Sequence, residues 1–319
     1  MSRNLSLKTL SRSQIDFDNF SYSISPEQDV SPGESLIRSI ACHGILHPPI
    51  VRKISPGSYA IVAGRKRLLG FYSLHAESTC ACLYISRRIP EVDVFSILLE
   101  EVQLTRQLSA VEKAIFLQKI TAIVDERQII GEFLPRLGFA PHSFAIKQSL
   151  ALLNLEAPIL RSIQHGRINE TVAHGLLGLS AQDRMALFAI LASLRLSSSY
   201  QKKLLHMCRE LAGRNDTSIA ALLDNDEVRR ILNHQEANPP QKTKNLMLWL
   251  SRSQMPRYSE AAEQFKRFVT AMHLPQNVSV DHTPFFEDDA LTLSITFVNR
   301  KSLQHAWEKM RHALHSSEN

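Results

Sequence analysis

Ala63-Gly64-Arg65-Lys66-Arg67 is the stretch of this chain best suited to chemistry with an anion. A glycine between a short apolar run and a basic one lets the backbone turn tightly. The residues after it then lie at a helix N-terminus, where unpaired N–H groups and basic side chains suit a phosphate. The same residues also read as a strand–glycine–helix corner with a solvated basic turn, because short motifs recur by chance. A second candidate lies further on. Residues 129–137 and 142–153 have helical spacing and are joined by a corner at Gly138 to Pro141. If Phe144, Leu150 and Leu153 pack inward, then His142, Ser143, Lys147 and Gln148 project outward, and Lys and Gln can reach phosphates or base edges in a major groove. A generic pair of antiparallel helices has the same pattern.

Other chemistries lack their residues. There is no Gly-x-Ser-x-Gly, HExxH, P-loop or dinucleotide fingerprint. His43 and His47 flank Gly44 at helical spacing, but no carboxylate or third ligand accompanies them, so no zinc site is expected. Cys80 and Cys82 are too close for a CxxC pair, and with Cys42 and Cys208 they read as free thiols in a reducing compartment.

The elements that would position these residues follow from the spacing of apolar side chains. Residues 1–30 are polar and read as a loose leader, with no apolar core of a secretory signal. A helix follows, carrying Leu36, Ile37, Ile40 and Ala41 on one face and stopped by Gly44. Pro48-Pro49 leads into a hairpin of residues 50–54 and 59–62. A helix over 65–75 and a strand over 80–85 complete a small α+β domain of residues 31–95. From 96 to 236 apolar residues recur at three- and four-residue spacing, which predicts an all-helical domain. Residues 237–256, with Asn238-Pro239-Pro240, read as a linker. Residues 257–319 have the order helix, two alternating strands, helix, with Phe285-Phe286 as a core anchor beside an acidic turn. The chain of 319 residues carries a net charge of +6, and residues 242–267 hold six Lys/Arg against two Glu, which favours anionic partners. No apolar run reaches the eighteen residues that a membrane helix requires.

Three blocks in a fixed order carry a family resemblance. The first is Leu36 to Val51 followed by the strand pair and Gly64-Arg65-Lys66-Arg67. The second is Glu101 to Arg106 followed by Leu108-Ser109-Ala110-Val111-Glu112, where Ser109 with Glu112 three residues on reads as a capping box opening the next helix. The third is the helix pair followed by Gly166-Arg167-Ile168-Asn169 and Ala173-His174. Together they resemble the ParB-type partition proteins over roughly residues 30–185. The resemblance implies an N-terminal fold shared with sulfiredoxins, in which Gly44, His47, Pro48, Gly64, Arg65, Lys66, Arg67 and Glu101 lie at a CTP site. It implies a middle domain with a helix-turn-helix that contacts DNA through His142, Ser143, Lys147 and Gln148. Four positions depart from the family pattern: Arg65 stands where the family has Glu, Lys66 and Thr105 stand where it has Arg, and Val102 replaces the Asn that helps hold magnesium. Valine offers no oxygen to a hard cation, which sets the sequence against the family's metal.

The expectation is therefore a three-part α+β protein: a ParB/sulfiredoxin-like domain, an all-helical middle domain with a helix-turn-helix, and a small α+β C-terminal domain. As implied by the resemblance, it would be a sequence-specific binder of double-stranded DNA in plasmid or chromosome partitioning. A homodimer associated with the nucleoid in the cytoplasm, CTP as ligand and a ParA-type ATPase as partner are implied too. The alternatives are a nucleotide-processing enzyme on the N-terminal domain, such as a weak CTPase or a nuclease, and a transcriptional regulator derived from the family.

Overall fold

A computed structural model describes residues 5–26, 31–283 and 288–315. The chain divides into two compact units, Met1–His206 with Ser218–Leu223, and Met207–Thr217 with Asp224–Asn319.

The first unit opens on a five-stranded sheet of β1 (Ser6–Ser11), β2 (Ile15–Asp16), β3 (Ile50–Ser55), β4 (Ser58–Ala63) and β5 (Thr79–Ile85), in the order β1-β5-β3-β4-β2. Helices α1 (Glu34–His43) and α2 (Arg65–Leu74) belong to the same fold, with α2 between β4 and β5 in sequence. Strand residues point alternately to opposite faces, and here both faces are covered. Val51, Tyr59, Ile61, Cys80 and Cys82 pack with Leu68 and Tyr72 of α2 on one side. Ile50, Ala60, Val62 and Ile85 pack on the other side with Val94, Phe95, Leu98 and Leu99 of α3 (Glu91–Thr105). The two-residue spacing of Cys80 and Cys82 is thus strand periodicity: both are buried free thiols on one face.

Two boundaries read from the sequence are corrected here. Residues 5–26 are not a loose leader. Strand β1 pairs antiparallel with β5, and Leu10, Ile15, Tyr22 and Ile24 are buried. The segment looks polar because β1 is an edge strand that buries only Leu10. Nor does the α+β domain end at residue 95, since α3 runs through that point and supplies one wall of the sheet's core.

Helix α4 (Ala110–Ile120) starts with the capping box expected from Ser109 and Glu112. The Ser109 hydroxyl accepts the Glu112 N–H at 3.2 Å, and the Glu112 carboxylate accepts the Ser109 N–H at 2.9 Å. Next come α5 (Glu126–Gln128), a π-turn (Ile129–Phe133) and α6 (Leu134–Arg136), in unbroken succession. Pro135 lacks an N–H and its ring crowds the carbonyl one turn back. The ladder widens just before it, with the Leu134 N–H reaching the Ile129 carbonyl. Gly138, at φ +78°, makes the corner in a region that disfavours other residues. Helix α7 (Ser143–Ala151) follows, with His142 as its N-cap through Nδ1 accepting the Ala145 N–H at 3.2 Å. Pro141 therefore precedes the cap. Helices α8 (Ala157–Gln164), α9 (Glu170–Leu177), α10 (Ala181–Leu194), α11 (Ser198–Arg214) and α12 (Ile219–Leu223) continue the helical region. Helix α11 begins in the first unit and ends in the second.

The second unit includes α13 (Asp226–Asn233), α14 (Pro239–Gln254), α15 (Pro256–Ala271), β6 (Val278–His282), β7 (Leu291–Ile295) and α16 (Arg300–His315). The supposed linker at 237–256 is mostly α14. Asn238 caps it, Pro239 and Pro240 occupy its first positions, and Leu246 and Leu250 are fully buried. The Pro-Pro pair suits the first turn of a helix, where the missing N–H groups have no partner to lose. Strands β6 and β7 pair antiparallel with Val280 opposite Leu293. Phe285, Phe286 and Glu287 lie outside the described residues. No helix among the described residues is long and apolar enough to cross a membrane.

Candidate functional site

The strand–glycine–helix corner opens onto a cavity of about 370 Å³ in the first unit. Its walls come from the end of β4, the first turn of α2, the last turns of α3, Arg106, Glu112 on α4, the segment Tyr22 to Ser25, and Gln164 with His165 at the end of α8. Gly64 makes the corner at φ +87°, the left-handed region that glycine enters at little cost. It also permits close approach, because a Cβ there would stand 3.0 Å from Pro49 Cβ and 3.0 Å from Arg67 Nε. Glycine supplies no capping side chain, and α2 has no acidic residue in its first turn. The helix therefore presents its positive end and its first N–H groups without competition from a carboxylate.

The basic residues of this turn have different fates. Arg65 donates to the carbonyls of Phe17 and Asn19, and its guanidinium lies 4.2 Å from the centre of the Phe20 ring. Burial holds its pKa below the ordinary arginine value. It is a fastener for the segment 17–20, and Lys119 of α4 holds the same segment by donating to the carbonyls of Phe20 and Ser21. Lys66 is exposed on the cavity rim with no partner among the described residues. Arg67 donates to the His47 carbonyl at 2.6 Å and to Glu101 Oε1 at 2.9 Å, joining the start of α2 to α3.

Of the residues expected at a nucleotide site, the structure brings together Gly64, Arg65, Lys66, Arg67 and Glu101 in the cavity wall. His47 joins them only through its carbonyl, with its residue exposed. Gly44 ends α1 at φ +69° and Pro48 precedes β3; neither lines the cavity.

Sequence reasoning missed Arg106 and Glu112 as cavity residues. Arg106 Nη1 and Nη2 donate to the two carboxylate oxygens of Glu112 at 2.8 and 2.6 Å, while Glu112 is only 3% exposed. That paired carboxylate raises the Arg106 pKa above its ordinary value. The capping-box motif was visible in the sequence, but the partner that makes it part of a cavity was not. Tyr22 to Ser25 and Gln164 were also missed. Gln164 Nε2 donates to Ser25 Oγ at 3.4 Å, and its buried Oε1 has no hydrogen-bond partner. An acceptor left in this state costs free energy unless a donor arrives. In all, four Lys/Arg side chains face two carboxylates around the cavity, an excess of two positive charges. With its size, its uncapped helix end and its orphaned acceptor, the cavity fits a phosphorylated small molecule with polar edges.

The second candidate surface is on α7. His142, Ser143, Lys147 and Gln148 are all exposed there. The inward face differs from the one read in the sequence. Ala145, Ile146, Ser149 and Leu152 are buried, Leu150 and Leu153 are half-buried, and Phe144 is 65% exposed. Phe144 stands three and four residues before Lys147 and Gln148, so the helix turns it to the same open side. Lys266 and Arg267 on α15 are likewise exposed.

Residues 7–84 match the ParB N-terminal domain family. A nucleoid occlusion protein of Listeria monocytogenes serotype 4a (strain HCC23) is 29% identical over 161 residues, which cover 50% of this chain and 53% of that protein. Its counterpart in Lysinibacillus sphaericus (strain C3-41) is 31% identical over 149 residues, covering 47% and 48%. The chain thus matches about half the length of these curated relatives. Among solved structures, the C-terminally truncated chromosome-partitioning protein ParB from Caulobacter crescentus, complexed to the centromeric parS site, aligns with 57% of this chain and 91% of that one. The identity is 18% and the TM-score 0.33.

Proposed function

From a chain whose residues 7–84 form a ParB N-terminal domain, we propose a sequence-specific DNA-binding protein of the ParB type. It grips double-stranded DNA through α7 and takes a nucleotide, CTP by the family resemblance, in the cavity at the start of α2. The observation that carries the reading is the placement of α7. It follows a glycine corner, its buried face is held in the same core as α4 and the π-turn, and it leaves His142, Ser143, Lys147 and Gln148 open on one rigid helix. A helix so anchored can enter a major groove with its N-terminal residues at the base edges. Lys147 suits a phosphate, and Gln148 can offer a donor and an acceptor together to one base. Two-fold readers of this kind act on palindromic sites, so a homodimer is part of the proposal. A nucleoid-associated role in segregating plasmid or chromosome DNA, with a ParA-type ATPase as partner, completes it.

Four features support a nucleotide in the cavity: the open N-terminus of α2, the excess positive charge, the orphaned Gln164 acceptor, and the short path from Arg67 through Glu101 to α3. Helices α3 and α4 share one core with α7, so a ligand that shifts α3 has a packed route to the DNA-reading helix.

The test is selection of a binding site from random duplexes, followed by titration of two variants. Gln148→Ala should cost about 1–3 kcal/mol on the selected site and relax its sequence at one position. Lys147→Ala should weaken all duplexes alike and reduce the dependence of log affinity on log salt by about one unit. Unchanged affinity and specificity in both variants would remove α7 from the interface.

A further inference from the structure

We propose that the cavity at the start of α2 binds its polyphosphate ligand without a divalent cation, with Lys66, Arg67 and the first-turn N–H groups of α2 meeting the phosphate charge that a metal would otherwise meet. The inference rests on reading the cavity as a nucleotide site and specifies how that site handles charge.

On the α3–α4 wall the carboxylates and the hydroxyl that could ligate a metal carry internal bonds, leaving Glu101 Oε2 and, across the cavity, the neutral Gln164 Oε1. Both oxygens of Glu112 accept from Arg106, one of them also accepts from the Ser109 N–H, and the side chain is buried. Glu101 Oε1 accepts from Arg67 at 2.9 Å. The Thr105 hydroxyl is turned back onto its own helix and donates to the Val102 carbonyl at 2.9 Å. Between Glu101 and Thr105 the wall is formed by Val102, which contributes only methyl groups. A hard cation such as magnesium needs oxygen ligands at about 2.0–2.1 Å in near-octahedral array. Stripping Glu101 or Glu112 for it would leave an arginine unpaired. The donor set does not fit the family's metal.

Positive charge, by contrast, is in surplus. Lys66 stands on the rim with its ammonium uncommitted among the described residues. Arg67 uses Nη1 and Nη2 for one bond each, to the His47 carbonyl and Glu101, which leaves N–H donors over. The first-turn N–H groups of α2 add the positive end of a helix with no acidic residue to offset it. Arginine and lysine at this density neutralise phosphate by charge-assisted hydrogen bonds.

Equilibrium binding of CTP to the full chain, measured by calorimetry in magnesium-containing buffer and again with excess EDTA, tests this directly. The expected result is a dissociation constant that agrees within about twofold between the two buffers, and a Lys66→Ala variant that weakens CTP about tenfold in EDTA. Lys66 is exposed and makes no contact that folding needs, so the variant should melt as the wild type does. A loss of tenfold or more on adding EDTA to the wild type would overturn the proposal and leave the nucleotide site standing. Equal binding with an unaffected Lys66→Ala variant would overturn the assignment of charge to the rim. No CTP binding in either buffer would sink the nucleotide reading itself, and this inference with it.

Discussion

Replacing Gly64 by alanine probes the corner on which the cavity is built. The backbone there lies at φ +87°, where an L side chain costs about 1–2 kcal/mol. The new Cβ would also stand 3.0 Å from Pro49 Cβ, which is buried and cannot retreat freely, and 3.0 Å from Arg67 Nε and Nη2. Arg67 is the part that can move. Its movement would weaken the bonds to the His47 carbonyl and Glu101, both only partly screened, at a further cost of about 1 kcal/mol. The sum is a destabilisation of about 2–3 kcal/mol, read as a lower denaturant midpoint or as a fall in Tm of roughly 5–10 °C for a unit of this size. CTP binding should fall as well, because the basic turn is displaced. Gly131→Ala is the control. Gly131 lies in the π-turn outside the left-handed region, and a Cβ there meets nothing within 4 Å. That variant should be neutral or more stable by up to about 1 kcal/mol. If Gly64→Ala were within about 0.5 kcal/mol of the wild type, with CTP binding intact, the corner would not be what holds Arg67 in place.

Two further predictions concern the helices behind the sites. Gly175→Ala on α9 would put a Cβ 2.4 Å from Leu205 Cδ2, so overpacking should lower stability by about 1–3 kcal/mol in a denaturant titration. The added change Leu205→Val should recover part of the loss by withdrawing the clashing methyl. Glu156 accepts three hydrogen bonds from Arg184 at 2.8–3.1 Å, which hold its pKa below the ordinary value of 4.5. A folded-state pKa below the unfolded one stabilises fully above pH 4.5 and is lost as pH falls through the folded value. The Tm gap between wild type and Glu156→Gln should therefore be widest above pH 5 and close on acidification. A gap that stays constant to pH 3 would show that ionisation of Glu156 does not carry the pair's contribution to stability.

Local features were legible because they depend on neighbouring residues alone. The capping box of Ser109 and Glu112, the corners at Gly64 and Gly138, and the hairpin of β3 and β4 each follow from a few adjacent side chains and the torsions they allow. So did the exposure of Lys147 and Gln148, which needs only a helix of the right length. Phe144 differs from the reading because its large apolar side chain suggests burial, whereas its three- and four-residue spacing from Lys147 and Gln148 puts it on their open face.

Other features belong to tertiary structure. Strand β1 carries one buried residue, and only pairing with β5, some seventy residues later, makes it a strand. Residues 17–25 read as polar coil, yet Arg65 and Lys119 fix the segment 17–21 by its carbonyls, and Tyr22 to Ser25 become cavity wall. The Arg-Glu pairs that set the cavity's charge form between residues that the fold brings together. Glu101 and Arg67 meet across thirty-four positions. Sequence determines which residues can carry charge and where the backbone can turn. Which charges remain free for a ligand depends on which partners the folded core places beside them, and that is a property of distances that no local pattern encodes.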